Sequence, residues 1–143
     1  MILKEGSGRI PMYDVLVVDD EEPVRKLVAT LISRRGHQCF QAIDGVEALA
    51  KAKTTRFDVI ITDIVMPKMD GISLIKEVLR IRPRLPIMVM TGFKNDFTPA
   101  VAKGAGARDT IAKPFSLMEF YAQFDKMMSD DGKGIRSEDK PTA

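Results

Sequence analysis

Two spacings of apolar residues alternate along this chain. The runs YDVLVV (13–18), FDVIIT (57–62) and PIMVM (86–90) are apolar at nearly every position. Strands covered on both faces of a parallel sheet read this way. The segments HQCFQAI (37–43) and ARDTIA (107–112) predict two weaker strands. Between the runs the spacing becomes helical. Over 22–35, Val24, Leu27, Val28, Leu31 and Ile32 form one amphipathic stripe, with Pro23 at the first helical position and Gly36 at the stop. The stretch 71–82 repeats the design with Ile72, Ile75, Val78 and Leu79, and 116–128 sets Leu117, Phe120, Tyr121, Phe124 and Met128 on one side. Shorter helices are predicted over 46–53 and 96–103. Strand and helix thus alternate, which predicts an α/β fold with helices on both faces of a parallel sheet and right-handed crossovers.

Residues 1–12, with Gly6, Gly8 and Pro11, have no periodic pattern and are expected to be a flexible arm. Residues 129–143 hold one large apolar residue, Ile135, and are expected to be a flexible tail or the start of a linker. One domain, 13–128, remains, and the 143 residues suffice for a core without disulfides or a structural metal. The single Cys39 excludes an intrachain disulfide framework and a multi-cysteine zinc site. The 22 Lys and Arg are interleaved with 20 Asp and Glu, so no nucleic-acid contact is expected. No apolar run reaches the ~20 residues of a membrane span, and 1–10 has no leader-like apolar core. A cytoplasmic protein is expected.

The carboxyl ends of the strands are where ligands gather in open parallel sheets. The first run ends in Asp19-Asp20, the third in Thr62-Asp63, the fourth in Thr91-Gly92 and the fifth in Lys113-Pro114. Each has an ordinary reading: Asp20 as a helix cap, Asp63 as a turn initiator, Thr91 as a strand end and Lys113 as a surface charge. Their joint occurrence at one edge changes the balance. Clustered carboxylates favour a hard cation, and oxygen-only ligands suit Mg²⁺. A carboxylate beside Mg²⁺ can attack phosphorus, with a lysine neutralising the oxygens of the transferring group. The sole histidine, His37, is expected at a surface turn, and Cys39 as a small core residue. The nine methionines are read as gap-fillers, with Met66 and Met69 as a second option for a docking surface.

VLVVDDEE, DVIITDIVMPKMDG, VMTGF and IAKPF resemble, in order and spacing, the receiver domain of two-component response regulators, over about 13–128. The resemblance implies a five-stranded parallel sheet in flavodoxin-like order 2-1-3-4-5 with five helices, an order that a member of this family is commonly used to illustrate. It implies Asp63 as phosphoacceptor, Asp20 as direct Mg²⁺ ligand and Asp19 as a ligand through water. The Val65 backbone carbonyl would join them. It further implies Thr91 as the switch hydroxyl, Lys113 as the phosphate-pairing lysine and a cis Lys113–Pro114 bond. One position departs: where the family usually has an aromatic three residues before the lysine, this chain has Thr110, preceded by Asp109.

The expected function is a signalling domain, not a metabolic enzyme. It accepts a phosphoryl group on Asp63 from a sensor histidine kinase or phosphotransfer protein and then changes its binding to a downstream target, as monomer or phosphorylation-dependent dimer. Val65 and Phe93, two residues beyond Asp63 and Thr91, are expected to flank the path of a hydrolytic water and slow it. Met1 and the arm favour a stand-alone receiver; a segment of a longer regulator or hybrid kinase is the alternative. A non-phosphorylated pseudo-receiver is opposed by the full residue set. A phosphatase is opposed by Val65, which cannot be the general acid two residues beyond the nucleophile.

Overall fold

The computed structural model describes residues 12–92 and 99–130. Most of the predicted arm, Phe93, the start of the predicted 96–103 helix and most of the predicted tail lie outside the described residues. Strands β1 (Asp14–Val18), β2 (Gln38–Ala42), β3 (Val59–Asp63), β4 (Ile87–Gly92) and β5 (Asp109–Lys113) alternate with helices α1 (Glu22–Arg34), α2 (Gly45–Thr54), α3 (Gly71–Ile81), α4 (Pro99–Ala105) and α5 (Leu117–Asp130). The strands form one parallel sheet in the order β2-β1-β3-β4-β5, the flavodoxin-like arrangement expected.

The continuous apolar runs follow from this layering. Successive side chains of a strand point to opposite faces. Leu16, Val18, Ile60, Ile87 and Val89 enter one core with Ala48 of α2, Leu74, Ile75 and Val78 of α3 and Ala102 of α4. Val15, Val17, Val59, Ile61, Met88 and Met90 enter the other, against Val28, Leu31 and Ile32 of α1 and Phe120, Phe124, Met127 and Met128 of α5. The methionines at 66 and 69 belong to the first core, Met66 buried and Met69 packed against it, which is the gap-filling role. Cys39 is half-buried, and burial pushes its thiol up to about 11, so it is inert.

Side-chain caps fix where α2, α3 and α5 begin. Asp44 Oδ1 accepts the Glu47 N–H at 2.8 Å, and Asp70 Oδ1 the Ser73 N–H at 2.8 Å. Ser116 and Glu119 form a reciprocal box, with Ser116 Oγ accepting from the Glu119 N–H and Glu119 Oε1 from the Ser116 N–H. Gly71 admits no side chain, because a Cβ there would run into the Asp63 carbonyl.

His37 corrects the expectation of a surface residue. It is 8% exposed, its Nδ1 accepts the Tyr13 N–H at 3.1 Å, and its ring lies 5.1 Å from Tyr13 and 5.5 Å from Phe124. Both rings come from far along the chain, so the local turn signal at Gly36 could not reveal the burial. Burial first, and then the Arg35 guanidinium, hold the imidazole below its ordinary 6.5, against smaller opposing pulls from Asp125 and Asp58. The unfolded chain therefore takes up a proton that the folded chain resists. Stability falls as pH drops through 6.5 and levels off below the lower folded-state value. Urea unfolding midpoints measured across this range should decline on acidification in the wild type and decline less in His37→Gln.

Candidate functional site

Four strands end together at one edge of the sheet, and the last rungs of their ladders carry the polar residues. Asp63 pairs with Met90, Thr91 with Ala112 and Gly92 with Lys113, so Asp63, Thr91 and Lys113 stand on three adjacent strands. Asp19 follows β1, and its N–H is bonded to the Ala42 carbonyl of β2. Backbone pairing therefore runs past the apolar residues, and the side chains of the site are held by the sheet itself.

Carboxylate oxygens of Asp19, Asp20 and Asp63 all lie within 4.8 Å of one another. Asp19 is fully buried, Asp63 nearly so and Asp20 exposed. Lys113 Nζ sits 3.0 Å from Asp19 Oδ2, 3.3 Å from Asp63 Oδ2 and 3.9 Å from Glu21 Oε1. The second Asp19 oxygen accepts the Glu21 N–H at 2.9 Å, and Asp63 Oδ1 accepts the Ile64 N–H at 2.8 Å. Thr91 is buried, with its hydroxyl 3.5 Å from the Ile111 carbonyl. The Val65 side chain is 53% exposed, and the Lys113–Pro114 bond is cis.

The ordinary readings of these residues give way. Asp20 is not the N-cap of α1: that position is Glu21, which makes no side-chain cap bond. Lys113 is not a loose surface charge, since its side chain is 18% exposed and meets two buried carboxylates. Asp63 Oδ1 accepts from the adjacent Ile64 N–H rather than from the amide two residues on that an Asx turn uses, and its other oxygen is turned to Lys113. The sequence reading missed Arg25, whose Nη1 donates to the Asp19 carbonyl at 2.9 Å and whose Nε donates to Gln41 at 3.0 Å. It spans the ends of β1 and β2 and steadies the acidic turn. Its position one helical turn beyond Glu21 was the available signal.

At the departing position, a polar cluster occupies the start of β5. Asp109 Oδ1 accepts from the Thr110 N–H and from Gln123 Nε2, each at 2.9 Å. Gln123 also donates to the Thr110 carbonyl at 3.2 Å, and Lys103 of α4 lies 3.9 Å from Asp109. Asp109 thus joins α4, β5 and α5.

The electrostatics show an excess of negative charge. Burial raises the Asp63 carboxyl above its ordinary 3.8; the Lys113 charge opposes this and the Asp19 charge adds to it. Burial works to lower the Lys113 ammonium, but its bond to Asp19 and the charges of Asp19 and Asp63 outweigh that and hold it above 10.5. One ammonium does not balance three carboxylates. An all-oxygen donor set with surplus negative charge fits a hard divalent cation.

A doubly covered parallel sheet in the order β2-β1-β3-β4-β5, with three acids, a hydroxyl and a lysine at its carboxyl edge, defines a flavodoxin-like α/β domain with an acidic site. The profile of the response regulator receiver domain matches residues 15–125, and the chain belongs to that family, the receivers of two-component systems. It is 38% identical over 109 residues to the alkaline phosphatase synthesis transcriptional regulatory protein PhoP of Bacillus subtilis, covering 76% of this chain and 45% of that protein. It is 33% identical over 116 residues to the transcriptional regulatory protein ZraR of Salmonella typhimurium, covering 81% of this chain and 26% of that one. This chain therefore spans less than half the length of either relative. Among solved structures, the chemotaxis response regulator CheY4 of Vibrio cholerae superposes with a TM-score of 0.75 at 34% identity, covering 82% of this chain and 99% of that one. NtrX of Brucella abortus gives 0.83 at 30% identity, over 90% of this chain and 29% of that one. No helix among the described residues is long and apolar enough to cross a membrane.

Because ionised Asp63 is disfavoured in the fold, Asp63→Asn should raise the unfolding temperature of the metal-free protein by a few degrees. A divalent cation should stabilise the wild type more than the variant. Thermal unfolding with and without Mg²⁺ tests this, and a metal-free variant less stable than wild type would contradict it.

Proposed function

We propose that this domain is a Mg²⁺-dependent phosphoacceptor, with Asp63 as the nucleophile. The observation that carries the reading is the cluster of Asp19, Asp20 and Asp63, in which Lys113 bridges Asp19 and Asp63. A P–O bond forms to an Asp63 carboxylate oxygen as the P–N bond of a phosphohistidine breaks, and the electron pair leaves with the imidazole nitrogen. The donor is a sensor histidine kinase or a histidine phosphotransfer protein. Asp19, Asp20, Asp63 and the Val65 carbonyl would hold the Mg²⁺, which when bound supplies charge neutralisation for the phosphoryl oxygens.

The chain's own residues supply the rest. Lys113 is positioned to trade part of its contact with Asp63 for a phosphoryl oxygen once that oxygen carries the charge. The Thr91 hydroxyl, on the neighbouring strand, donates to another. Its present contact with the Ile111 carbonyl is long, so little is lost on turning. The resulting shift of β4 and β5 changes affinity for a downstream target, because only a state-dependent contact can move such an equilibrium.

A receiver that forms one segment of a longer regulator is supported by the 45% and 26% of its relatives that this chain spans. Both relatives are named as transcriptional regulators. In that setting the phosphorylated surface would act on an attached or associated output unit, and the chemistry at Asp63 would be the same.

Incubation with acetyl phosphate followed by intact-protein mass measurement tests the proposal. One phosphoryl group should be gained with Mg²⁺, none without it and none in Asp63→Asn. No gain under any condition would favour a pseudo-receiver. Val65, exposed beside Asp63, is expected to keep an attacking water from being oriented. Val65→Asn should shorten the phosphoryl half-life by up to about tenfold, equivalent to ~1.4 kcal/mol of barrier. An unchanged or longer half-life would remove that role.

A further inference from the structure

The loop that leaves β3 after Asp63 is braced from outside the site. Its neck is closed where the Gly71 N–H donates to the Ile64 carbonyl at 2.7 Å. Its crest, Lys68 and Met69, lies against the first residues of α2. A Cβ on Gly45 would stand 2.5 Å from the Met69 carbonyl oxygen and 2.8 Å from the Met69 Cβ. Glycine is needed here for close backbone approach. Asp44, 4% exposed, does two things at once. Its Oδ1 caps α2 through the Glu47 N–H, while its Oδ2 faces Lys68 Nζ at 3.6 Å. Lys68 itself has φ of 70°, a left-handed conformation that crowds the Cβ of a residue other than glycine. Such a conformation persists only where the surroundings over-determine it.

We infer that Asp44 and Gly45, at the start of α2, are positioning residues for the phosphoacceptor loop. They set the height of its crest and thereby the direction of the Val65 carbonyl. The inference rests on the reading of the site as a Mg²⁺-dependent phosphoacceptor. Neither residue touches the reacting atoms. Gly45 acts by size: a methyl group there must push the Met69 carbonyl away by at least about half an ångström. The neck cannot absorb this, because Gly71 is already packed on the Asp63 carbonyl. The displacement is left to residues 65–68, which include the carbonyl assigned to the metal. Asp44 acts by charge, holding Lys68 to α2 in its strained conformation.

The test compares the 143-residue wild-type chain with Gly45→Ala, Asp44→Asn and Gly104→Ala. Asp44→Asn keeps a cap acceptor for Glu47 and loses the charge. Gly104 lies in α4 with open space around its Cβ position, so it controls for a glycine replaced without contact. Mg²⁺ dissociation constants are read from amide chemical shifts at a temperature where urea titration shows each protein folded. Gly45→Ala should weaken Mg²⁺ binding about tenfold, the lower range for residues that orient ligands. Asp44→Asn should weaken it about twofold, and Gly104→Ala not at all. Mg²⁺ affinities of Gly45→Ala and Asp44→Asn equal to wild type would overturn the inference. If Gly45→Ala does not fold, an unchanged affinity in Asp44→Asn overturns it alone. A wild type that binds no Mg²⁺ would instead remove the underlying reading of the site, and this inference with it.

Discussion

The Lys113 ammonium lies within 3.3 Å of two carboxylates at the edge of the sheet, with its side chain only 18% exposed. The placement of the neighbouring groups depends on that contact. Asp19 and Asp63 are both buried and both acidic, and without a counter-charge they would repel each other in a poorly screened environment. Removing the lysine, which would leave buried charges uncompensated, typically costs about 3–5 kcal/mol. The lysine therefore keeps the acids close while leaving the cluster short of positive charge. A site assembled in this way holds together without a cation, and its surplus negative charge favours one.

Much of the fold could be read from periodicity, because both faces of the three central strands are covered. Val15 to Val18 and Val59 to Ile61 are buried without exception, and such runs leave little choice of element. The outer strands were harder to read for a physical reason. In β2, Gln38 and Gln41 are exposed, and in β5 Ala112 is exposed, so the apolar signal thins where the sheet is covered less fully. The predicted strands also stopped early. Backbone pairing continues through Asp63, Gly92 and Lys113, residues that hydrophobicity alone assigns to the loops. Those extra rungs hold the side chains of the site in line.

Asp19, Asp20, Asp63, Thr91 and Lys113 were legible as candidates because each stands where an apolar run stops. The fold turns that common position into proximity. Asp44 and Gly45 were not singled out, since an acid and a glycine before a helix read as an ordinary turn and cap. Their contact with Lys68 and Met69 arises only when α2 and the loop after β3 meet. Arg25 belongs to the same class: its partners, the Asp19 carbonyl and Gln41, are brought together by the β1–β2 ladder. Asp109, noted in the sequence only as the neighbour of Thr110, gains its place from Gln123 and Lys103, which reach it from two different helices.

Among the described residues β5 ends the sheet, and one row of its backbone groups has no partner strand there. Such a row is a template on which another chain can add a strand. Here the strand is five residues long, begins with buried Asp109 and ends with Lys113. Both terminal charges are already held by partners within the fold, Asp109 by Gln123 and Lys103, and Lys113 by Asp19 and Asp63. The charges that organise the polar cluster and the acid site thus also bracket this edge, and its five residues keep short the template it offers a second chain.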